Sequence, residues 1–312
     1  MDPIDLTRIK TTSLYTQKRR VKSRVFGRPF VVGGSFRDFL ESLPRILASS
    51  ELRQAAGEFA RAHRESRMAV LAMGAHPVKV GLNPVIIQLL EKGILTAVAM
   101  NGAGTIHDLE VAMVGETSED VERELDQGTF GMVEETSSVI NRAIARGITR
   151  GWGIGKSLGM EILNGDYPFA GMSILAAGQR LGIPITVHVA IGTDINHMHP
   201  SADGAAIGAG SHLDFRIFAG VVSRLEGGVY LNLGSAVILP EVFLKALAVV
   251  RNLGHQVQHF TAINMDFIRH YRPTVNVVER PTRMGGKGIT LIGHHEIMFP
   301  LLAAAILEEV GL

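Results

Sequence analysis

The chain of 312 residues contains no cysteine and a single tryptophan. Without cysteine there is no disulfide framework, no thiolate nucleophile and no Cys-ligated zinc, so nucleophilic chemistry falls to Ser, Thr, Lys, Asp, Glu or His. An excess of either charge is also missing. The 31 Lys and Arg balance 30 Asp and Glu to a net +1, whereas a general nucleic-acid binder draws its affinity from clustered cations that neutralise phosphates. No apolar run reaches the ~18 residues of a membrane span. The stretch from Met1 to Lys10 is charged and lacks the apolar core of a signal peptide. The sequence therefore predicts a cytoplasmic protein that engages neither nucleic acid nor membrane. One local departure is basic: Arg8, Lys10, Lys18, Arg19, Arg20, Lys22, Arg24 and Arg28 follow one another with no acidic residue between them. They read as a solvated or oligomer-docking arm, with a phosphate-binding role as the alternative.

What is present is a 46% hydrophobic chain with 35 glycines. Residues 1–34 form the basic arm, and 35–312 read as one domain. Ser35 is placed to cap a helix from Phe36, with an interruption near Pro44 and a second helical stretch from Ser50 to Ser66. Short apolar runs without polar alternation then recur: Met68–Met73, Ile94–Met100, Ile185–Ile191, Gly228–Leu233, Gln258–Asn264 and Ile289–Ile292. Between them lie helical patterns at Pro84–Lys92, from Ile106 onward, Glu134–Arg146, Gly155–Leu163, Ser173–Leu181, Leu213–Leu225 and Pro240–Leu253, and a last one covers Met298–Val310. Buried strands alternating with helices predict an α/β fold: a doubly wound, mostly parallel, Rossmann-like sheet.

In such a sheet ligands bind beyond the carboxyl ends of the strands. The residues following the predicted strands are Gly74-Ala75-His76, Asn101-Gly102-Ala103-Gly104, Gly192 to His199, Gly234-Ser235, Asn264-Met265-Asp266 and Gly293-His294-His295-Glu296. Asn101 to Gly104 has little side chain to keep its backbone N–H groups from an anion, and is otherwise a tight connection. Asp194 and Asp266 suit ribose hydroxyls, since a carboxylate accepts from two adjacent O–H donors, or act as helix caps. His197 and His199 could share a metal with Asp194 or His76, but hydrogen bonding to substrate or cofactor is the preferred role, and no metal is expected. Gly151 to Ser157 approaches a phosphate-binding loop, yet Arg150 stands where that motif needs glycine, which leaves an ordinary helix start. Glu134-Glu135 suits dipole compensation at a helix start.

Taken in order, these strand ends resemble the deoxyhypusine synthase family from about Met68 to Leu312. Gly81-Leu82-Asn83-Pro84-Val85-Ile86 looks like that family's first loop-to-helix turn, and Asn101 to Gly104 falls where the family contacts NAD. Thr193-Asp194 with His199 matches the segment carrying its cofactor and amine aspartates. Leu233-Gly234-Ser235, Ile263-Asn264-Met265 and Phe299-Pro300-Leu301-Leu302 are similar to its later segments. The resemblance implies an NAD-dependent enzyme, a homotetramer with sites between subunits, that oxidises a polyamine or related amine, transfers the imine and reduces it. It implies cofactor contacts at Asn101, Gly102, Ala103, Gly104, Asp194, Gly234, Ser235, Asn264 and Asp266.

The family's catalytic residues are replaced. Pro281 falls at its lysine, Pro240 at its substrate histidine, His199 at its second aspartate and His294 at the aspartate of its last strand. Lys287, between Gly286 and Gly288, becomes the candidate for imine capture, with His199, Glu241 and His294 as acid/base or amine-binding candidates. A homospermidine-synthase type of transfer to a small amine needs no protein nucleophile. Two competing readings are a non-catalytic dinucleotide sensor and a metal-dependent hydrolase built on His76, Asp194, His197 and His199.

Overall fold

The computed structural model describes residues 1–311. Six strands form the sheet: β1 (Ala69–Met73), β2 (Ala97–Asn101), β3 (Ile185–His188), β4 (Val229–Leu233), β5 (Thr261–Asp266) and β6 (Lys287–Ile292). All neighbours are parallel and the order is β3-β2-β1-β4-β5-β6. The chain builds outward from β1 to β3, returns to lay β4 beside β1, and builds outward again. The point where the direction reverses lies between β1 and β4, the position at which doubly wound sheets open a ligand crevice. The fold is therefore α/β and Rossmann-like.

The continuous apolar runs follow from burial on both faces: every residue of β1, β4 and β5 is buried. On one face Val70, Ala72, Tyr230 and Ala262 pack with Leu239, Phe243, Ala246, Leu247 and Val250 of the helix Ile238–Asn252, and with Phe218, Val221 and Val222 of the helix Gly204–Val222. The Tyr230 ring stacks on Phe243 at a centroid distance of 3.8 Å. That contact adds to the ~25 cal/mol per Å² of apolar surface removed from water.

Several boundaries differ from the sequence expectation for identifiable reasons. The Asn101–Gly104 segment is the first turn of the helix Gly102–Val114, not a loop ahead of Ile106, because the Asn101 side chain accepts the Gly104 N–H at 3.0 Å. β3 stops at His188 instead of Ile191; the Val189 N–H is diverted to the Ser211 hydroxyl at 3.0 Å. The helix Gly204–Val222 begins well before Leu213, since Asp203 caps its glycine- and alanine-rich start through the N–H groups of Ala205 and Ala206. β6 begins at Lys287, ahead of Ile289. A short helix Val121–Gln127 and a π-helical stretch Thr274–Glu279 lie in segments that carry no clear apolar period.

The chain divides into two compact units, Met1–Ser50 and Glu51–Leu312. In the first, Ser35 caps the helix Phe36–Ser42 as expected, Asp38 completes a capping box with it, and the basic stretch before it is almost wholly exposed. The sheet belongs to the second. Among the described residues no helix is long and apolar enough to cross a membrane.

Candidate functional site

At the carboxyl ends of β1 and β4 the two backbones come unusually close. Gly74 donates its N–H to Leu233 O at 3.1 Å, and a Cβ at Gly74 would lie 2.3 Å from Gly234 O. Gly234 has φ +61°, a conformation that glycine enters without strain, and a Cβ there would lie 2.5 Å from Cε1 of His295. His295 opens the last helix, His295–Val310, is fully buried, and has neither ring nitrogen hydrogen-bonded. Its Nε2 stands 3.4 Å from Oδ1 of Asp266 at the end of β5, and its ring meets those of His76 at 5.1 Å and Phe267 at 5.7 Å. Burial and the neighbouring His295 hold His76 below the ordinary imidazole range.

A second focus forms where β2 and β3 end. Asp194 is buried and swings its carboxylate over the start of the helix Gly102–Val114, so that a Cβ at Gly102 would lie 2.0 Å from Oδ2. A side chain at Gly102 would displace that carboxylate. The Thr193 hydroxyl donates to Ala190 O at 2.8 Å, and Oδ2 of Asp194 is buried with no hydrogen-bond partner. Burial pushes its carboxyl above the usual range; His197, with Nε2 at 3.8 Å, pulls it back. Beside Asp194 opens a cavity of about 170 Å³, lined also by Lys79, His107, Glu110 and Glu119. An adjoining cleft of about 470 Å³ shares Glu110 and Glu119 and adds Glu116 and Glu135 along an apolar floor of Met113, Val114 and Val133. Burial opposes ionisation of Glu110, but His107 and the hydroxyls of Thr117 and Thr136 hold its carboxyl below the ordinary value.

The sequence-predicted residues fall into distinct places. Asn101 to Gly104 and Asp194 share the second focus. Gly234 and Asp266 share the first, while Ser235 accepts the Leu239 N–H at 3.2 Å and Asn264 accepts from Asn232 at 2.8 Å beneath it. His294 is exposed and parallel to Phe267 at 6.4 Å, so the next residue, His295, is the one turned inward. His199 is held by Glu134 at 2.9 Å and Ser201 at 2.7 Å; Glu241 pairs with Lys245 and accepts from Asn276 at 2.8 Å. Lys287 lies elsewhere. It pairs with Thr261 at the amino end of β5, whereas Ile292 pairs with Asp266 at the carboxyl end, a separation of about 16 Å at ~3.3 Å per residue. Its Nζ is ion-paired with Glu58. The lysine beside Asp194 is Lys79, from the short helix after β1, which sequence reasoning passed over.

The four residues of the hydrolase reading are not assembled: His76 belongs to the first focus, Asp194 and His197 to the second, and His199 to Glu134. Among the described residues no three His, Asp or Glu side chains stand together as a metal site. Gly155 in the near-miss phosphate loop gives its N–H to Asp214 at 2.9 Å, so the start of the helix Ile154–Asn164 already carries a carboxylate. Asp108 similarly clasps the start of the helix Ile174–Leu181 through the Ile174 and Leu175 N–H groups, at 2.8 and 3.1 Å.

These arrangements discriminate between parts of a dinucleotide. A carboxylate standing over Gly102 repels a phosphate at that helix start, whereas a ribose diol carries the O–H donors that suit a carboxylate. The residues fit NAD through its ribose at Asp194.

Neither a family model nor a curated protein matches the sequence. Solved structures do. A LOR/SDH candidate protein from Methanococcus maripaludis S2 is 16% identical over 86% of this chain and 71% of its own, with a TM-score of 0.53. AgrE, solved as a ternary complex with ornithine and NAD+, is 16% identical over 83% of this chain with a TM-score of 0.53, and this chain spans only 33% of AgrE. A deoxyhypusine synthase candidate from Entamoeba histolytica is 12% identical over 90% of this chain and 96% of its own, with a TM-score of 0.50. At such identities the likeness is one of fold, and the fold it shows is the Rossmann-like α/β sheet described above.

Proposed function

We propose that this chain is a deoxyhypusine synthase-like, NAD-dependent enzyme acting on a polyamine or related amine by oxidation, imine transfer and reduction. The observation that carries the reading is the buried Oδ2 of Asp194, which has no hydrogen-bond partner and stands over Gly102 beside an acidic cleft. The structural likeness to AgrE, which binds ornithine and NAD+, supports it.

Bound NAD supplies a hydride acceptor. Asp194 accepts from the ribose hydroxyls and orients them. Glu110, Glu116, Glu119 and Glu135 attract the ammonium groups of the amine, while Met113, Val114 and Val133 cover its methylenes. His107 lies 3.6 Å from Glu110 and is placed to take the proton that an ammonium gives up before oxidation. Where the imine is captured on the protein, Lys79 is the lysine of that cavity. The homotetramer implied by the family resemblance belongs to the same reading.

Asp194→Ala tests it. Losing one charge-assisted hydrogen bond costs ~1.5–3 kcal/mol, so NAD affinity measured by calorimetry should fall about 10- to 100-fold. Wild-type protein given NAD and spermidine should raise absorbance at 340 nm and release diaminopropane. NAD binding that Asp194→Ala leaves unchanged would sink the ribose assignment. Binding without turnover of any polyamine would favour the sensor.

A further inference from the structure

The amino end of the sheet carries a cavity that the site above does not use. It measures about 330 Å³ and is lined by Arg61, Arg67, Lys287 and His259, together with Glu58 and Glu226. Three permanent cations thus line the cavity with two carboxylates, and a third carboxylate, Glu65, takes Nη1 of Arg61 at 3.0 Å from outside the lining. Glu58, whose side chain is only 9% exposed, takes Lys287 and also the Nε and Nη2 groups of Arg61 at 3.1 and 2.9 Å. Glu226 accepts the N–H groups of Gln258 and His259 at 2.6 and 3.0 Å and pairs with Nδ1 of His259 at 2.8 Å. Arg67 keeps a loose contact, 3.9 Å from Glu65, and its side chain remains half exposed. An ammonium has three N–H donors and a guanidinium five, so donors outnumber the acceptor oxygens offered to them.

The walls let this surplus converge. Gly227 has φ +72°, and a Cβ on it would come within 3.3 Å of Nε of Arg67; the arginine therefore lies across a bare backbone. Gly285, at φ +112°, and Gly286 bring the chain into β6 so that Lys287 opens the strand, with its N–H on Phe260 O at 3.0 Å.

We infer that this cavity is a binding site for the phosphate group of a small molecule, held by Lys287, Arg61 and Arg67 at the end of the sheet opposite the dinucleotide crevice. Phosphate fits because its oxygens only accept, it carries close to two charges, and a guanidinium fork engages two of those oxygens at once. The buried Glu58 positions two of the three cations before the ligand arrives, which lowers the ordering cost of binding.

Calorimetry on the full chain with inorganic phosphate and with ribose 5-phosphate, at constant ionic strength set by chloride, tests the assignment. Saturable binding is expected, weakened at least tenfold by Arg67→Gln and by Lys287→Gln. Arg67→Gln leaves both Glu58 ion pairs intact, so it reports on the site even if Lys287→Gln unfolds the chain. Asp194→Ala should leave this binding unchanged. Tighter binding of the ester would identify a phosphorylated metabolite as the ligand, and equal binding free phosphate. No saturable binding of either probe, affinity unaltered by Arg67→Gln, or loss of binding in Asp194→Ala would overturn the proposal.

Discussion

Gly74→Ala is expected to destabilise the protein by about 3 kcal/mol or more, the upper end of what overpacking a core costs. The added Cβ would stand 2.3 Å from Gly234 O and 3.2 Å from Gly234 C, and both are backbone atoms just past the end of β4, one of the central pair of strands. No flexible side chain is there to yield. The backbone at 234 cannot retreat freely, because a Cβ at Gly234 itself would already lie 2.5 Å from the fully buried His295 ring. Relief would separate β1 from β4 at the crevice and break the Gly74 N–H bond to Leu233 O. Gly208→Ala is the contrasting case. That glycine is in the helix Gly204–Val222, is exposed, and has nothing within 4 Å of a built Cβ, so alanine should leave stability unchanged or raise it by ~0.5–1 kcal/mol. Urea unfolding of both variants reads the difference. A loss below about 1 kcal/mol in Gly74→Ala would mean that the crevice walls part easily.

The parts of the fold legible in the sequence are those where local chemistry and tertiary packing demand the same thing. Met68 to Met73 reads as a strand because both faces of β1 are covered, and Ser35 reads as a cap because the helix starts at the next residue, where its side chain meets the Asp38 N–H. Other features depend on distant partners. Asp108 and Asp214 sit in helical patterns where a carboxylate ordinarily faces water, and what makes them structural is the N–H of Ile174 and that of Gly155, 66 and 59 residues away. The pair His294-His295 is plain in the sequence, but which ring turns inward depends on the start of the last helix and on the space Gly234 leaves for it. Lys287 stands out in the sequence because glycines flank it. Its remoteness from the crevice follows from β6 opening at 287, a boundary that the apolar run from Ile289 does not mark. Lys79 carries no local signal, and only the fold brings it to the cavity that Asp194, following β3, also lines.

Asp214→Asn is expected to remove several kcal/mol of the dependence of stability on pH. Asp214 accepts the N–H groups of Gly155 and Val187, each at 2.9 Å, through Oδ2, while Oδ1 is buried without a partner. Burial pushes the carboxyl up to about 7 from 3.8, and the backbone donors offset only part of that. Because the folded-state value lies above the unfolded one, the folded protein binds more protons between those two pH values. This group's contribution is therefore fully present below about pH 4 and is lost as pH rises to about 7. At ~1.4 kcal/mol per unit, the loss amounts to about 4 kcal/mol. Asp108, raised to about 6 by burial against its four donors, acts in the same direction over a narrower window in wild type and variant alike. An asparagine keeps a carbonyl oxygen for the Gly155 and Val187 donors and never ionises. The variant should thus match wild type near pH 4.5, exceed it by several kcal/mol at pH 8, and show a flatter profile between. Urea unfolding at the two pH values measures the difference. If Asp214→Asn were instead the less stable protein at pH 8, Asp214 would be an ionised cap whose negative charge holds the start of the helix Ile154–Asn164.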